Sequence, residues 1–231
     1  MTNRTPDKSA IRDAATIILV RDRATRPSVL MGQRGAGAAF MPMKFVFPGG
    51  AVDASDAHVP VHLSEPNRSR LAENSRLAPE AIAAAAIREL WEETGQVLGR
   101  AGLWPDAPAG WEGFAAEGMR PDATGLSFIF RAVTPPGRTR RFDARFLVAD
   151  AGALAGDPDD FSGAEDELSH LQWVPLDQAR SFDLPFITEV VLAELLGNLH
   201  RDAPPESVPF FRHEEERHLF DRLGGRSPLP R

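Results

Sequence analysis

The chain has 231 residues, of which 42% are hydrophobic and 26% charged, with a formal net charge of −7. This length and composition suit one large soluble domain with appendages, and the acidic balance argues against a general nucleic-acid coat, which needs a basic surface. The absence of cysteine excludes disulfides, thiolate catalysis and cysteine-ligated zinc.

The two ends of the chain differ in character from its middle. Residues 1–13 are polar, so we expect them to be disordered, and residues 14–200 are predicted to form the main domain. Residues 201–231 form a charged C-terminal extension, in which 208–211 and 213–223 are the candidate ordered segments. No run approaches about 18 apolar residues, which predicts a cytoplasmic protein without a membrane partner.

Strands and helices alternate along the domain. Apolar and β-branched runs predict strands at 14–20, 28–33, 44–47, 126–133, 142–149 and 168–174. Helical propensity and spacing predict long helices at 79–94 and 189–199, and short ones at 69–75 and 111–117. This order predicts an α/β or α+β fold, a sandwich with a mixed β-sheet between helices.

Residues 53–78 interrupt this pattern. They are rich in Asp, His, Pro, Ser and Arg and show little periodicity. We therefore predict that they form an insertion on the surface.

The segment from Arg88 to Gly95 carries three glutamates at helical spacings of three and four. Glu89, Glu92 and Glu93 should therefore share one face of a helix. An acidic helix face is ordinarily solvated, but crowded carboxylates also form the oxygen-rich site that Mg²⁺ or Mn²⁺ prefers. The surrounding sequence has to decide between these two interpretations.

A glycine pair precedes the acidic helix. Pro48 ends a short predicted strand, and we expect Gly49 and Gly50 to turn sharply after it. Glycine allows a backbone carbonyl to approach a metal closely because it has no Cβ. A carbonyl oxygen, carboxylates, water and a substrate phosphate would complete an octahedral shell that supports hydrolysis of a phosphoanhydride.

These residues resemble the Nudix box, in which Gly, Glu and an Arg-Glu-x-x-Glu-Glu-x-Gly segment follow at set spacings. The segment from Arg88 to Gly95 agrees at every specified position, and Glu80 lies in register. Gln96 stands where an aliphatic residue is usual. Gly50 is displaced, because 29 residues separate it from Glu80 where the pattern has five.

A split box of this kind resembles the branch that includes the peroxisomal coenzyme A diphosphatases. Residues 40–42 and 140–146 are similar to that branch too, with Ala144 in place of its Thr. The resemblance implies a Nudix sandwich and a metal-dependent pyrophosphohydrolase, with coenzyme A or acyl-coenzyme A as the first substrate expected. ADP-ribose, NADH and nucleotide sugars are the alternative substrates. A non-catalytic nucleotide-sensing module is the alternative function.

The same resemblance implies roles for particular residues and partners. Glu89, Glu92, Glu93 and Glu167 are the predicted catalytic residues, and Glu89, Glu92, Glu93 and Gly50 are the predicted ligands of Mg²⁺ or Mn²⁺. Arg34, Arg141 and Arg145 are predicted to bind substrate, although an Arg-x-Asp-x-Arg face is also typical of an exposed salt-bridged ladder. Glu80, Arg88 and Gly95 are predicted to be structural. We expect a nucleotide-type small molecule as substrate, no nucleic acid, and a monomer or homodimer.

Overall fold

The computed structural model describes residues 10–201, 203–214 and 217–224. Its helices within these ranges are Asn67–Ala72 (α1), Pro79–Thr94 (α2), Glu112–Ala116 (α3) and Phe186–Asn198 (α4). Its strands there are Ile11–Arg21 (β1), Ser28–Arg34 (β2), Phe45–Val46 (β3), Gly49–Ala51 (β4), Gly99–Ala101 (β5), Met119–Pro121 (β6), Ser127–Val133 (β7), Arg141–Asp150 (β8), Leu168–Pro175 (β9), Val208–Glu214 (β10) and Arg217–Leu223 (β11). In this part of the chain, no helix is long and apolar enough to cross a membrane.

A mixed sheet forms the middle layer of the domain. Its strands run in the order β11-β10-β7-β8-β1-β2-β3, with β4 also paired to β1 and β9 to β2. The parallel pair of β1 and β8 lies at its centre, in register from Ile11 opposite Arg141 to Val20 opposite Asp150. Such a central strand is buried on both faces, which explains the unbroken apolar run of β1.

Helices cover both faces of this sheet. Side chains of β1 alternate between two cores, with Ile17 packing on the α2 side and Ile18 on the α4 side. This arrangement confirms the predicted sandwich with a mixed sheet between helices.

Helix α2 has the limits that its sequence predicts. Pro79 lies in the first turn, where its missing N–H costs nothing. Gly95 ends the helix at a φ of 73°, a left-handed conformation that favours glycine. The alanine-rich face, together with Ile82 and Leu90, is fully buried. This packing holds the carboxylate face in one orientation.

Residues 53–78 are more deeply integrated than a surface insertion. Val59, Leu63 and Leu71 belong to the same hydrophobic core as α2. The Asn67 side chain donates to the Leu126 carbonyl at 2.8 Å and accepts from the Phe128 amide at 3.0 Å. The prediction of a surface segment was therefore wrong, because its few apolar residues are spaced too irregularly to show periodicity.

Described residues near both ends of the chain also join the sheet, whereas residues 1–9 of the predicted disordered N-terminus lie outside the described residues. Strand β1 begins at Ile11, three residues before the predicted start of the domain. Strand β10 pairs in parallel with β7 and in antiparallel with β11, so the C-terminal extension adds a hairpin to one edge. The carbonyl of Glu206 accepts a hydrogen bond from Arg70 of α1, which ties this hairpin to the insertion.

Candidate active site

A buried guanidinium organises the carboxylates of α2. Arg88, which is 5% exposed, donates from Nη1 to Glu89 Oε1 at 2.9 Å and to Glu92 Oε2 at 2.8 Å. Its Nε and Nη2 donate to the two oxygens of Asp56, each at 3.0 Å. We call Asp56, Arg88, Glu89 and Glu92 the Arg88 cluster. One planar cation thus orients three carboxylates.

Asp56 is the member of this cluster that sequence reasoning missed. It lies in a short 3₁₀ turn of the insertion, at 0% exposure. It also accepts hydrogen bonds from the Trp111 indole at 3.1 Å and the Asp53 amide at 2.8 Å. The insertion therefore supplies the partner that fixes Arg88. The sequence contains no signal that separates Asp56 from the other polar residues of this segment.

Glu80 has a different partner from Arg88. Its carboxylate accepts from Arg68 of α1 at 2.8 Å. Glu80 and Arg88, the two charged residues predicted to be structural, are thus paired with side chains of the inserted segment.

The glycine pair lies directly against the glutamates. A Cβ at Gly50 would stand 2.4 Å from Glu89 Oε2, so any larger residue there would displace the Glu89 carboxylate. The amide of Gly49 donates to Glu93 Oε2 at 2.7 Å. The two glycines form strand β4 rather than the sharp turn predicted for them, because their backbones pair with Ala15 and Thr16.

Burial shifts the ionisation of all three glutamates. It raises the pKa of Glu89 to about 7, against the opposing charge of Arg88. Burial also raises the pKa of Glu92, and it raises the pKa of Glu93 well above the usual range. Glu93 is 3% exposed, and its Oε1 has no hydrogen-bond partner among the described residues. The nearby guanidiniums therefore do not offset the cost of burying these three carboxylates.

Arg34 and Glu167, both predicted from sequence, meet in space. Arg34 Nη2 donates to Glu167 Oε1 at 2.8 Å, although 133 positions separate the residues. Glu167 lies directly before strand β9. Its negative charge contributes to the raised pKa values of Glu89 and Glu93. The structure therefore brings both residues to the acidic helix.

A cleft of about 1220 Å³ runs past this region. Its acidic end, as we call it, is lined by Arg34, Gly50, Glu89 and Glu167. Its walls are largely apolar and aromatic, with Phe40, Phe47, Phe142 and Phe146 among them. Its volume exceeds the usual upper range for small-molecule sites, so it can take a large ligand.

Arg141 and Arg145 lie away from this cleft. Arg145 is 1% exposed and forms ion pairs with Asp13 and Asp143, and Asp143 also binds Arg131 at 2.7 Å. We call Asp13, Arg131, Asp143 and Arg145 the Arg145 cluster. Arg141 donates to the Thr134 carbonyl at 3.1 Å.

The alternate residues of β8 line the cleft instead. These are Phe142, Ala144 and Phe146, with Arg140 just before the strand. The shared face predicted for Arg141, Asp143 and Arg145 exists, but it points to the other side of the sheet. Substrate contact by Arg145 would require buried ion pairs to break, so the structure favours a structural role for it.

Comparisons with known proteins agree with this arrangement. A model of the NUDIX domain matches residues 10–195. This chain belongs to the Nudix hydrolase family. A crystal structure of a NUDIX hydrolase from Alicyclobacillus acidocaldarius is 30% identical, with a TM-score of 0.60 over 81% of this chain and 92% of that one. The putative nudix hydrolase 7 of Caenorhabditis elegans is 41% identical over 87 residues, a match that spans 38% of this chain and 22% of that protein.

The donor set of this Nudix hydrolase fits a divalent cation. Five carboxylates (Asp56, Glu89, Glu92, Glu93 and Glu167) lie beside two guanidiniums, Arg34 and Arg88. The donors are all oxygen, which suits Mg²⁺ or Mn²⁺. No three of them converge into a ready-made shell within the described residues. Glu89 and Glu92 each have one oxygen bonded to Arg88, which leaves their second oxygens for a cation.

Proposed function

We propose that this Nudix hydrolase is a metal-dependent pyrophosphohydrolase. Its substrate would be a nucleoside diphosphate linked to another moiety, and the bond cut would be the phosphoanhydride. The observation that carries this proposal is the excess of buried carboxylates over cations at one end of a large cleft. Buried charges are stable only when they are paired, protonated or bound to a metal.

The residues that would hold the cation are Glu89, Glu92, Glu93 and the carbonyl of Gly50. Glu93 supports this role through its unpaired Oε1, and Gly50 through its contact with the Glu89 carboxylate. A bound Mg²⁺ or Mn²⁺ would neutralise phosphate charge and lower the pKa of a bound water. The coarser expectation that a divalent cation is needed follows from membership of the family.

The chain itself would bind the diphosphate and move a proton. Arg34, at the acidic end of the cleft, would bind two oxygens of one phosphate bidentately when Glu167 releases it. Glu167 or Glu89 would then accept a proton from the attacking water. The water oxygen bonds to one phosphorus, the bridging P–O bond breaks, and the other phosphate leaves with the bridging oxygen.

Coenzyme A or acyl-coenzyme A is the first substrate that we propose. Hydrolysis would release adenosine 3′,5′-bisphosphate and a phosphopantetheine product. The support comes from the split motif, from the segments at 40–42 and 140–146, and from a cleft large enough for such a molecule. ADP-ribose, NADH and nucleotide sugars are the alternatives, because the acidic end recognises only their shared diphosphate.

A substrate panel tests this proposal. Coenzyme A, an acyl-coenzyme A, ADP-ribose and NADH would each be incubated with Mg²⁺, with Mn²⁺ and with EDTA, and the products separated by chromatography. We expect one diphosphate to be cleaved at its phosphoanhydride, and EDTA to abolish cleavage. If no member is cleaved although calorimetry shows that one binds, the chain is a nucleotide-binding module and the proposal fails.

A further inference from the structure

The end of the cleft opposite the acidic end is lined by arginines. Arg138 and Arg140 lie on the turn between β7 and β8, and Arg12 lies on β1 directly opposite Phe142. The rings of Phe40 and Phe142 meet here edge to face, with centroids 5.0 Å apart. We call these five residues the arginine end.

These arginines differ from the other cations of the cleft. Arg34 is paired with Glu167 and Lys44 with Asp183. Arg12, Arg138 and Arg140 form no ion pair or side-chain hydrogen bond with any residue that the structure describes.

The acidic side chains of the cleft lie elsewhere. Glu89 and Glu167, the two carboxylates among its described lining residues, belong to the acidic end. Three arginines without an ion pair among the described residues therefore line the cleft of a chain whose net charge is −7.

The strand geometry gives the distance between the two ends. Arg12 and Thr16 both line the cleft from β1, and Thr16 pairs with Gly49, whose amide binds Glu93. Four residues of extended strand span about 13 Å. This is longer than a diphosphate, so a substrate whose diphosphate lies against the glutamates meets the arginines with a different part of its structure.

We infer that the arginine end is a subsite for a phosphate monoester carried on the nucleoside of the substrate. This inference rests on the proposed function and narrows it to nucleotides with a phosphate beyond the diphosphate. Guanidiniums bind phosphate through paired, charge-assisted hydrogen bonds. The Phe40 and Phe142 rings offer an aromatic surface for the attached base.

Matched substrate pairs test this subsite. Coenzyme A differs from dephospho-coenzyme A only by a 3′-phosphate, and NADPH differs from NADH only by a 2′-phosphate. In at least one pair, we expect kcat/KM to be at least about tenfold higher for the phosphorylated member, as one charge-assisted hydrogen bond would give. In the double variant Arg138→Ala/Arg140→Ala, we expect this ratio to fall to about one, mainly through KM.

A matched control removes charge elsewhere. Arg100 is exposed and lies outside the cleft, so Arg100→Ala should leave the ratio unchanged. Equal loss on both members of a pair in the double variant would show that the arginines act structurally and would overturn the inference. A wild-type ratio near one in both pairs would also overturn it.

Binding provides a readout that does not need turnover. Calorimetry with EDTA would compare adenosine 3′,5′-bisphosphate and NADP⁺ with AMP and NAD⁺, their counterparts without the monoester phosphate. We expect the wild-type protein to bind at least one phosphorylated ligand about tenfold more tightly, and the double variant to lose this difference. Discrimination without any hydrolysis would preserve the subsite while the proposed hydrolysis fails.

Discussion

The Arg88 cluster and the Arg145 cluster are both built from ion pairs between arginines and carboxylates, but they differ in net charge. Two guanidiniums and two carboxylates compensate each other in the Arg145 cluster. In the Arg88 cluster, one guanidinium faces three carboxylates, with Glu93 beside them. Only the second arrangement leaves negative charge to be satisfied by something outside the chain. A glutamate of the motif therefore indicates a cation-binding site only when the neighbouring side chains leave its negative charge uncompensated.

Replacing Glu93 should give the largest effect. Glu93→Gln keeps the side-chain shape but removes the charge, so we expect kcat to fall by about 100-fold or more. Because burial already disfavours the charged form of Glu93, the metal-free variant should melt no lower than the wild-type protein. Glu117→Gln, at an exposed position, is the control. Full turnover by Glu93→Gln would refute its proposed role.

Breaking the balanced cluster should affect stability instead. Asp143→Asn leaves the buried guanidiniums of Arg131 and Arg145 without a shared anion. We expect the free energy of unfolding to fall by about 3–5 kcal/mol, as measured by urea denaturation. Saturating Mg²⁺ should restore none of this loss. A variant as stable as the wild-type protein would contradict the role assigned to this cluster.

Replacing Asp56 should reduce both stability and catalytic turnover. Asp56→Asn removes a buried charge that both anchors Arg88 and lies in the insertion. We expect a stability loss of about 3 kcal/mol. We also expect a roughly 10- to 100-fold fall in kcat/KM, because Glu89 and Glu92 lose their fixed cation. Denaturation and steady-state kinetics on the same preparation measure both. Lost stability with unchanged kinetics in the folded fraction would make Asp56 purely structural.

The smallest predicted effect is a pH dependence of the metal-free protein. The pKa of Glu89 is about 7 in the folded chain and near 4.5 when unfolded, so the folded state holds the proton more tightly. Its stabilising contribution is complete below pH 4.5 and is lost as pH rises through 7. With EDTA, the free energy of unfolding should fall by about 2.5 kcal/mol from this group between pH 5 and 8.

Glu89→Gln should flatten this component, and Mg²⁺ should oppose it by favouring the ionised form. Urea denaturation across the pH range, with EDTA and with Mg²⁺, checks both expectations. A wild-type and a variant curve of the same slope would rule out Glu89 as the source.

The sequence was most informative where contacts are local. Helix α2 and its glutamates follow from spacing within 16 residues, and Gly95 marks the end of the helix. Arg34 and Glu167 were each predicted, although their contact across 133 positions was not.

Longer-range geometry explains what was missed. A period of two shows that Arg141 and Arg145 share a face of β8, but it does not show which face borders the cleft. Arg140 and Phe142 lie on the cleft side of the same segment. Asp56 was not predicted because it lies in a segment without periodicity and its partner, Arg88, is 32 residues away.

The pairing of β1 with β8 has a consequence for the order of assembly. Residues opposite each other in this pair are 130 positions apart, whereas Asp56 and Arg88 are 32 apart. Closing the longer loop costs more chain entropy and favours late formation. We therefore expect the Arg88 cluster to form during refolding before β8 brings the arginine end against β1. In pulsed hydrogen exchange, amides of α2 would then become protected earlier than those of β8.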